Sequence, residues 1–345
     1  MGRLLSRSAG FKLLLRLVIA VGLVWVVFRR ALPSGEEGVW GSLKQAWNPA
    51  GGAQAGLPSP WLTFACALLI IGLGFGLNAL RFRGLLRAAG SRAGWGGLLR
   101  AYLVAGFFNL VLPGAILGDA YRVMDIKSLA GRTSNALGLV VVERLLGLSA
   151  LGSIGLVCLP FLPGELLAEQ GLSWLPLSLG LLLLLGSLAA LYPPSNRLLI
   201  RACGLCSPIS SSMAERASAV LTQVGRMWCY PRVLLQTFGL SLIAQGLLVL
   251  SVWVLGQSLA ERVEWHWYPL IIPFATLLSL APVSIGAAGI REYLYVTLFG
   301  LAGMGASSAL ALSLSLFAAT LLWGFVGLLL FCLGRTSRAE AQRDA

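Results

Sequence analysis

Six charged residues sit where apolar sequence surrounds them: Asp119, Arg122, Glu143, Arg144, Arg291 and Glu292. An ionised side chain at bilayer depth costs roughly 2.5–3.5 kcal/mol on insertion scales, so it faces a protein interior or a polar cavity and takes a partner. The residue types suggest which chemistry. A guanidinium offers a planar fork of donors that matches the oxygens of a phosphate or a carboxylate, and carboxylates hold such forks in place. Glu143 and Arg144 lie about ten residues into the apolar run 134–159. Neighbours on a helix point about 100° apart and make poor partners for each other. Arg144 is therefore expected to meet Asp119, and Glu143 to meet Arg122 or Arg291. Two readings follow: salt bridges that assemble the helices, or a polar cavity for a lipid headgroup. Asn109 is a further polar residue beside a helix break and joins the candidate lining.

The sequence offers little for bond-making chemistry. His266 is the single histidine and lies in the aromatic stretch "EWHWYP", which reads as an interfacial anchor rather than part of a triad. Cys66, Cys158 and Cys332 lie in apolar runs and Cys229 stands beside Trp228 and Tyr230. Cys203 and Cys206 form one CxxC without a second pair. A metal site needs more ligands than that. No catalytic residue, metal or cofactor is expected, and the chain is not read as an enzyme.

The elements that must position the charges are membrane helices. The 345 residues are 57% hydrophobic and 11% charged, with mean hydropathy +0.84, whereas a soluble domain is nearer a quarter charged. The net charge of +13 comes largely from arginines between apolar runs. It speaks for sidedness and anionic lipid, not for nucleic acid. The N-terminal run 11–28 follows a basic head and ends in Arg29-Arg30 without a small-residue cleavage site, so it reads as an uncleaved first span.

Apolar runs of spanning length cover 11–28, 61–80, 134–159, 174–192, 233–255 and 306–332. Basic residues gather in 1–16, 81–100, 193–232 and the tail after Leu333, and acidic ones in 160–173 and 256–268. The positive-inside rule then puts both termini in the cytoplasm. Under that accounting, the regions 101–133 and 269–305 must each begin and end on one side. Both are apolar and broken, the first by Pro113, Gly114 and Gly118, the second by Pro282, Gly286 and Gly289. Each is expected to be a re-entrant element or a tight pair of short helices. Pro113 precedes Arg122 by nine residues, and Pro282 precedes Arg291 by nine. The expectation is an all-α polytopic membrane protein, a single membrane domain over 1–345. Its two inverted-topology repeats are 11–160 with the broken element 101–133 and 174–333 with the broken element 269–305, followed by a cytoplasmic tail at 334–345. Inverted repeats with broken helices characterise transporters whose site lies near the midplane between the repeats. Backbone breaks at that depth must be enclosed by protein or line a water-filled cavity.

Three blocks, "LPGAILGDAYRV", "VVERLLGL" and "APVSIGAAGIREYLYV", resemble the lysylphosphatidylglycerol synthase transmembrane family, which includes the flippase half of the multiple peptide resistance proteins. The resemblance spans roughly 11–333. It rests on Pro113, Gly114, Gly118, Asp119 and Arg122, on Glu143 and Arg144, and on Pro282, Gly289, Arg291 and Glu292. Ala115 and Ile116 stand where many relatives have a polar or basic residue, and Ala287-Ala288 replace a commoner Gly-Gly. Bifunctional relatives carry an aminoacyltransferase domain after the membrane part; here eleven residues follow Gly334, so membrane activity alone is expected. The resemblance implies translocation of a polar, phosphate-bearing lipid between leaflets of the bacterial inner membrane. The headgroup, anionic or zwitterionic, would be held by Arg122, Arg144, Arg291, Glu143, Glu292, Asp119 and Asn109, and a lipid-synthesis enzyme is a candidate partner. The competing expectations are an accessory subunit or intramembrane enzyme of envelope-lipid synthesis, and a membrane scaffold that transports nothing.

Overall fold

A computed structural model of the chain describes residues 58–111, 116–127, 133–158, 160, 175–192, 196–198, 200–201, 211–259, 261, 263–279 and 289–333. Within them the regular elements are all helical: α1 (Pro60–Ala88), α2 (Trp95–Val111), α3 (Ile116–Ile126), α4 (Thr133–Cys158), α5 (Leu175–Leu191), α6 (Ser211–Arg226), α7 (Pro231–Gly256), α8 (Trp267–Ser279), α9 (Ile290–Leu301) and α10 (Ala306–Cys332), with a short 3-10 turn at Met227–Cys229. Four of these, α1, α4, α7 and α10, are long and apolar enough to cross a membrane. They realise the runs 61–80, 134–159, 233–255 and 306–332. Within the run 174–192 the described residues form the 17-residue α5, at the lower end of the length that crosses a membrane. The run 11–28 lies outside the described residues. The chain is an all-α polytopic membrane protein.

In each of the two regions that the sequence marks as broken, the described residues form two separate helices, α2 and α3 in the first and α8 and α9 in the second. The described helices stop at Val111 and resume at Ile116 in the first, and stop at Ser279 and resume at Ile290 in the second. Pro113, Gly114, Pro282 and Gly286 lie outside the described residues. Gly118 and Gly289 lie within them, and each has a defined task. The Gly118 N–H donates to Asn109 Oδ1 at 3.0 Å, which ties the end of α2 to the start of α3. Gly289 has φ +83° at the N-terminal edge of α9, a left-handed backbone that a side chain disfavours.

One expectation needs correcting. The segment 81–100 reads in the sequence as a basic cytoplasmic loop, yet α1 continues to Ala88 and α2 begins at Trp95. The apolar positions Phe75, Ala79, Phe82 and Leu86 repeat every three or four residues and keep the helix going past residue 80. Arg81 and Arg100 are buried within these helices.

The residues group into two compact units, and the cuts between them fall inside helices. One comprises the described residues of Met1–Gly72, Gly106–Gly118 and Leu247–Val326. Its core is built on Val252, Tyr268, Ile272, Phe299 and Leu312, where α8 and α9 pack on each other. Gly72 lies against the Trp323 indole, where a Cβ would not fit, so the glycine-dense "GLGFG" segment includes one true close-approach position. The other unit comprises Leu73–Ala105 and the described residues of Asp119–Gly246 and Gly327–Ala345. Its core gathers Phe82, Leu85, Leu98, Leu139, Leu146, Val224 and Met227. Gly327 meets the Leu103 backbone directly, which lets α10 touch α2 main chain to main chain. The amphipathic α6 covers the start of α4, with Gln223 against Gly138.

Candidate functional site

Among the described residues of the molecule's second unit, Glu143 is the most buried charge, with its side chain 1% exposed. An uncompensated carboxylate there would be strongly unfavourable, and three neighbouring helices supply its partners. From α1, Arg81 donates through Nη2 to Oε1. From α2, the Tyr102 hydroxyl donates to the same oxygen. From α3, Arg122 Nη1 lies 2.9 Å from Oε2, an ion pair rather than an aligned hydrogen bond. Arg81 Nη1 also donates to Ser241 Oγ of α7 at 2.9 Å. The guanidinium of Arg122 stacks over the Tyr102 ring, 4.4 Å from its centroid, and lies 5.6 Å from the Phe82 centroid. Such stacking stabilises a desolvated cation further.

The cluster continues outward through Asp119. Its Oδ1 accepts from Arg122 Nη2 at 2.9 Å. Its Oδ2 accepts from Arg144 Nε at 2.7 Å and lies 2.7 Å from Arg144 Nη2. Burial falls along this path: the side chain of Arg122 is 6% exposed, that of Asp119 18%, and that of Arg144 43%. Arg144 stands eleven residues into α4, about 17 Å along a helix about 39 Å long. It is thus a half-exposed guanidinium near the middle of a spanning helix.

Most of the charges singled out by type and position are brought together here. Glu143 meets Arg122, Arg144 meets Asp119, and Glu143 and Arg144 diverge to different partners as their helical phase requires. Arg81, Tyr102 and Ser241 were not among the expected residues. Asn109 accepts from the Gly118 N–H and so braces the α2–α3 connection.

Arg291 and Glu292 form a separate cluster in the other unit. The Glu292 carboxylate reaches back to accept from the Gly289 N–H at 2.6 Å, as a residue in the first turn of a helix can. Its other oxygen accepts from Arg291 Nη2. Arg291 Nε donates to Ser313 Oγ of α10 at 3.1 Å, and its guanidinium lies 4.9 Å from the Phe317 centroid. Arg291 is thus paired with its own neighbour in sequence.

In the cluster around Glu143, three guanidinium groups face two carboxylates. The Nε–H groups of Arg81 and Arg122 have no acceptor among the described residues. Among the described residues no three His, Cys, Asp or Glu side chains come together as a metal would require.

The fold and the buried charge cluster define a polytopic membrane protein with a cation-rich polar centre. The chain belongs to the family described as "Lysylphosphatidylglycerol synthase TM region", whose model matches residues 13–328. That span takes in both charge clusters, and it gives the protein a role connected with membrane lipid. No curated protein and no solved structure matches the chain.

Proposed function

We propose that the protein translocates a phosphate-bearing lipid between the leaflets of the bacterial inner membrane, with both termini cytoplasmic, and that Arg144 receives the phosphate. The observation that carries this reading is Arg144 itself. A guanidinium left 43% exposed near the middle of a spanning helix is unfavourable against hydrocarbon but well suited to a headgroup or water-filled path. Below it, Asp119, Arg122, Glu143 and Arg81 fix the orientation of α3 and α4, so the fork is presented in one geometry. Acyl chains would stay in the bilayer while the headgroup passes the fork. On this reading the protein carries out no bond-making step, and its partner is the lipid together with whichever synthetic enzyme delivers it.

The test is reconstitution into vesicles that contain a short-chain fluorescent phosphatidylglycerol, with the outer leaflet bleached by a membrane-impermeant reductant. Wild-type protein is expected to make the inner-leaflet pool accessible faster than protein-free vesicles do. Equal rates with and without protein, under every imposed ion gradient, would refute translocation of this lipid.

A further inference from the structure

We infer that Asp119 is a displaceable counter-ion, which occupies the Arg144 fork in the empty protein and yields it to the phosphodiester of an anionic lipid. The inference rests on the reading of Arg144 given above.

Three observations support displacement over a fixed salt bridge. The first is stoichiometry at the fork. Asp119 gives Arg144 a single oxygen, Oδ2, shared by Nε and Nη2, because Oδ1 is turned to Arg122. A phosphodiester has two non-bridging oxygens and can take both fork donors in parallel, the stronger arrangement. The second is what becomes of Asp119 when it lets go. It sits one helical turn before Arg122 and keeps that partner at 2.9 Å, so its release strands no buried carboxylate. The third is charge. Among the described residues of the cluster, Arg81, Arg122 and Arg144 outnumber Glu143 and Asp119 by one, and a phosphodiester monoanion restores balance. The exposure gradient from Arg122 through Asp119 to Arg144 places the exchange where the cluster opens, while the buried end remains fixed.

The consequence is a linkage. While Asp119 holds the fork, the apparent affinity for lipid is lowered by the fraction of time the fork is free. Removing the carboxylate charge removes that competition, so an acidic residue inside the site acts against ligand binding. A purely structural salt bridge gives the opposite sign, because its loss loosens α3 and Arg144 together.

The experiment titrates purified full-length protein, in a neutral detergent, with dihexanoyl phosphatidylglycerol, dihexanoyl phosphatidylcholine or inorganic phosphate. Binding and the unfolding midpoint are both recorded. Asp119→Asn is expected to tighten phosphatidylglycerol binding about three- to tenfold, although its midpoint falls. Arg144→Gln is expected to abolish binding, and the double variant to show no gain. If the wild type binds this lipid through Arg144 but Asp119→Asn binds it no more tightly, displacement is overturned and the headgroup reading stands. If the wild type does not bind it, or Arg144→Gln binds it equally, both fall. Inorganic phosphate matching the lipid in affinity would overturn a lipid as the occupant, and tighter binding of the phosphatidylcholine would overturn the charge argument. Should Asp119→Asn not fold, the carboxylate itself can be followed. Asp125 and Asp344 are the other two aspartates, so Asp125→Asn with Asp344→Asn leaves Asp119 as the single 13C-aspartate infrared band. That band is expected to shift when phosphatidylglycerol is added, and an unmoved band with lipid bound overturns the inference.

Discussion

Glu143 and Glu292 are both carboxylates buried in the membrane part of the chain, and they are satisfied in different ways. Glu143 takes its partners from α1, α2 and α3, at sequence separations of 62, 41 and 21 residues in the case of Arg81, Tyr102 and Arg122. Glu292 is served largely by its own helix start, through Gly289 and Arg291, with Ser313 Oγ a longer contact at 3.4 Å. The first arrangement exists only when four helices are in register, so it is a property of the tertiary fold. The second forms nearly as soon as α9 does. A similar pair of residue types therefore performs a global task in one place and a local one in the other. The outer edge also differs. The Glu143 cluster opens through Asp119 to a half-exposed arginine, whereas the side chain of Arg291 is 13% exposed and lies over Phe317.

That contrast can be broken by substitution. Glu143→Gln removes the charge on which two buried guanidinium groups depend. Breaking a buried pair by removing one partner costs about 3–5 kcal/mol, so a large fall in the midpoint of thermal or denaturant unfolding in detergent is expected. Gly289→Ala places a side chain on a left-handed residue, with an expected loss of about 1–2 kcal/mol. Glu292→Gln keeps the carbonyl oxygen that caps the Gly289 N–H and weakens only the contact with Arg291, so about 1 kcal/mol is expected. If Glu292→Gln destabilised the protein as much as Glu143→Gln, the distinction between global and local satisfaction would fail.

How much of this was legible in the sequence depends on the residue. Glu143, Arg144, Asp119 and Arg122 stand out because charge in an apolar run must find a partner, and the helical phase of adjacent residues already sends Glu143 and Arg144 apart. Pro and Gly mark both interrupted regions in the sequence, and the described helices end at Val111 and Ser279 on their N-terminal sides. Arg81 was hidden by its neighbours: "RFRGLLR" reads as a basic loop, and only the continued spacing of Phe75, Ala79, Phe82 and Leu86 shows that the helix goes on. Tyr102 carries no charge and looks like any aromatic in an apolar run; its role depends on a contact 41 residues away. Ser241 is further still, at 160 residues from Arg81, and a serine within a span has no sequence signal to distinguish it. Arg291 was grouped with the other arginines by its spacing from a proline, a pattern that does not encode which carboxylate the side chain meets.

The central claim is that Arg144 handles the phosphate of a lipid while the charges beneath it hold the fold. It is tested most directly by lipid translocation in vesicles reconstituted with Arg144→Gln and Arg144→Lys, at matched protein incorporation and with the unfolding midpoint of each variant recorded. Arg144 is half exposed and its loss leaves Glu143 with all its partners, so both variants are expected to unfold within a few degrees of wild type. The Gln variant is expected to lose translocation by at least about tenfold, the equivalent of one charge-assisted contact. The Lys variant is expected to recover part of it, since it restores the charge without the fork. Wild-type translocation by a well-folded Arg144→Gln protein would contradict the account.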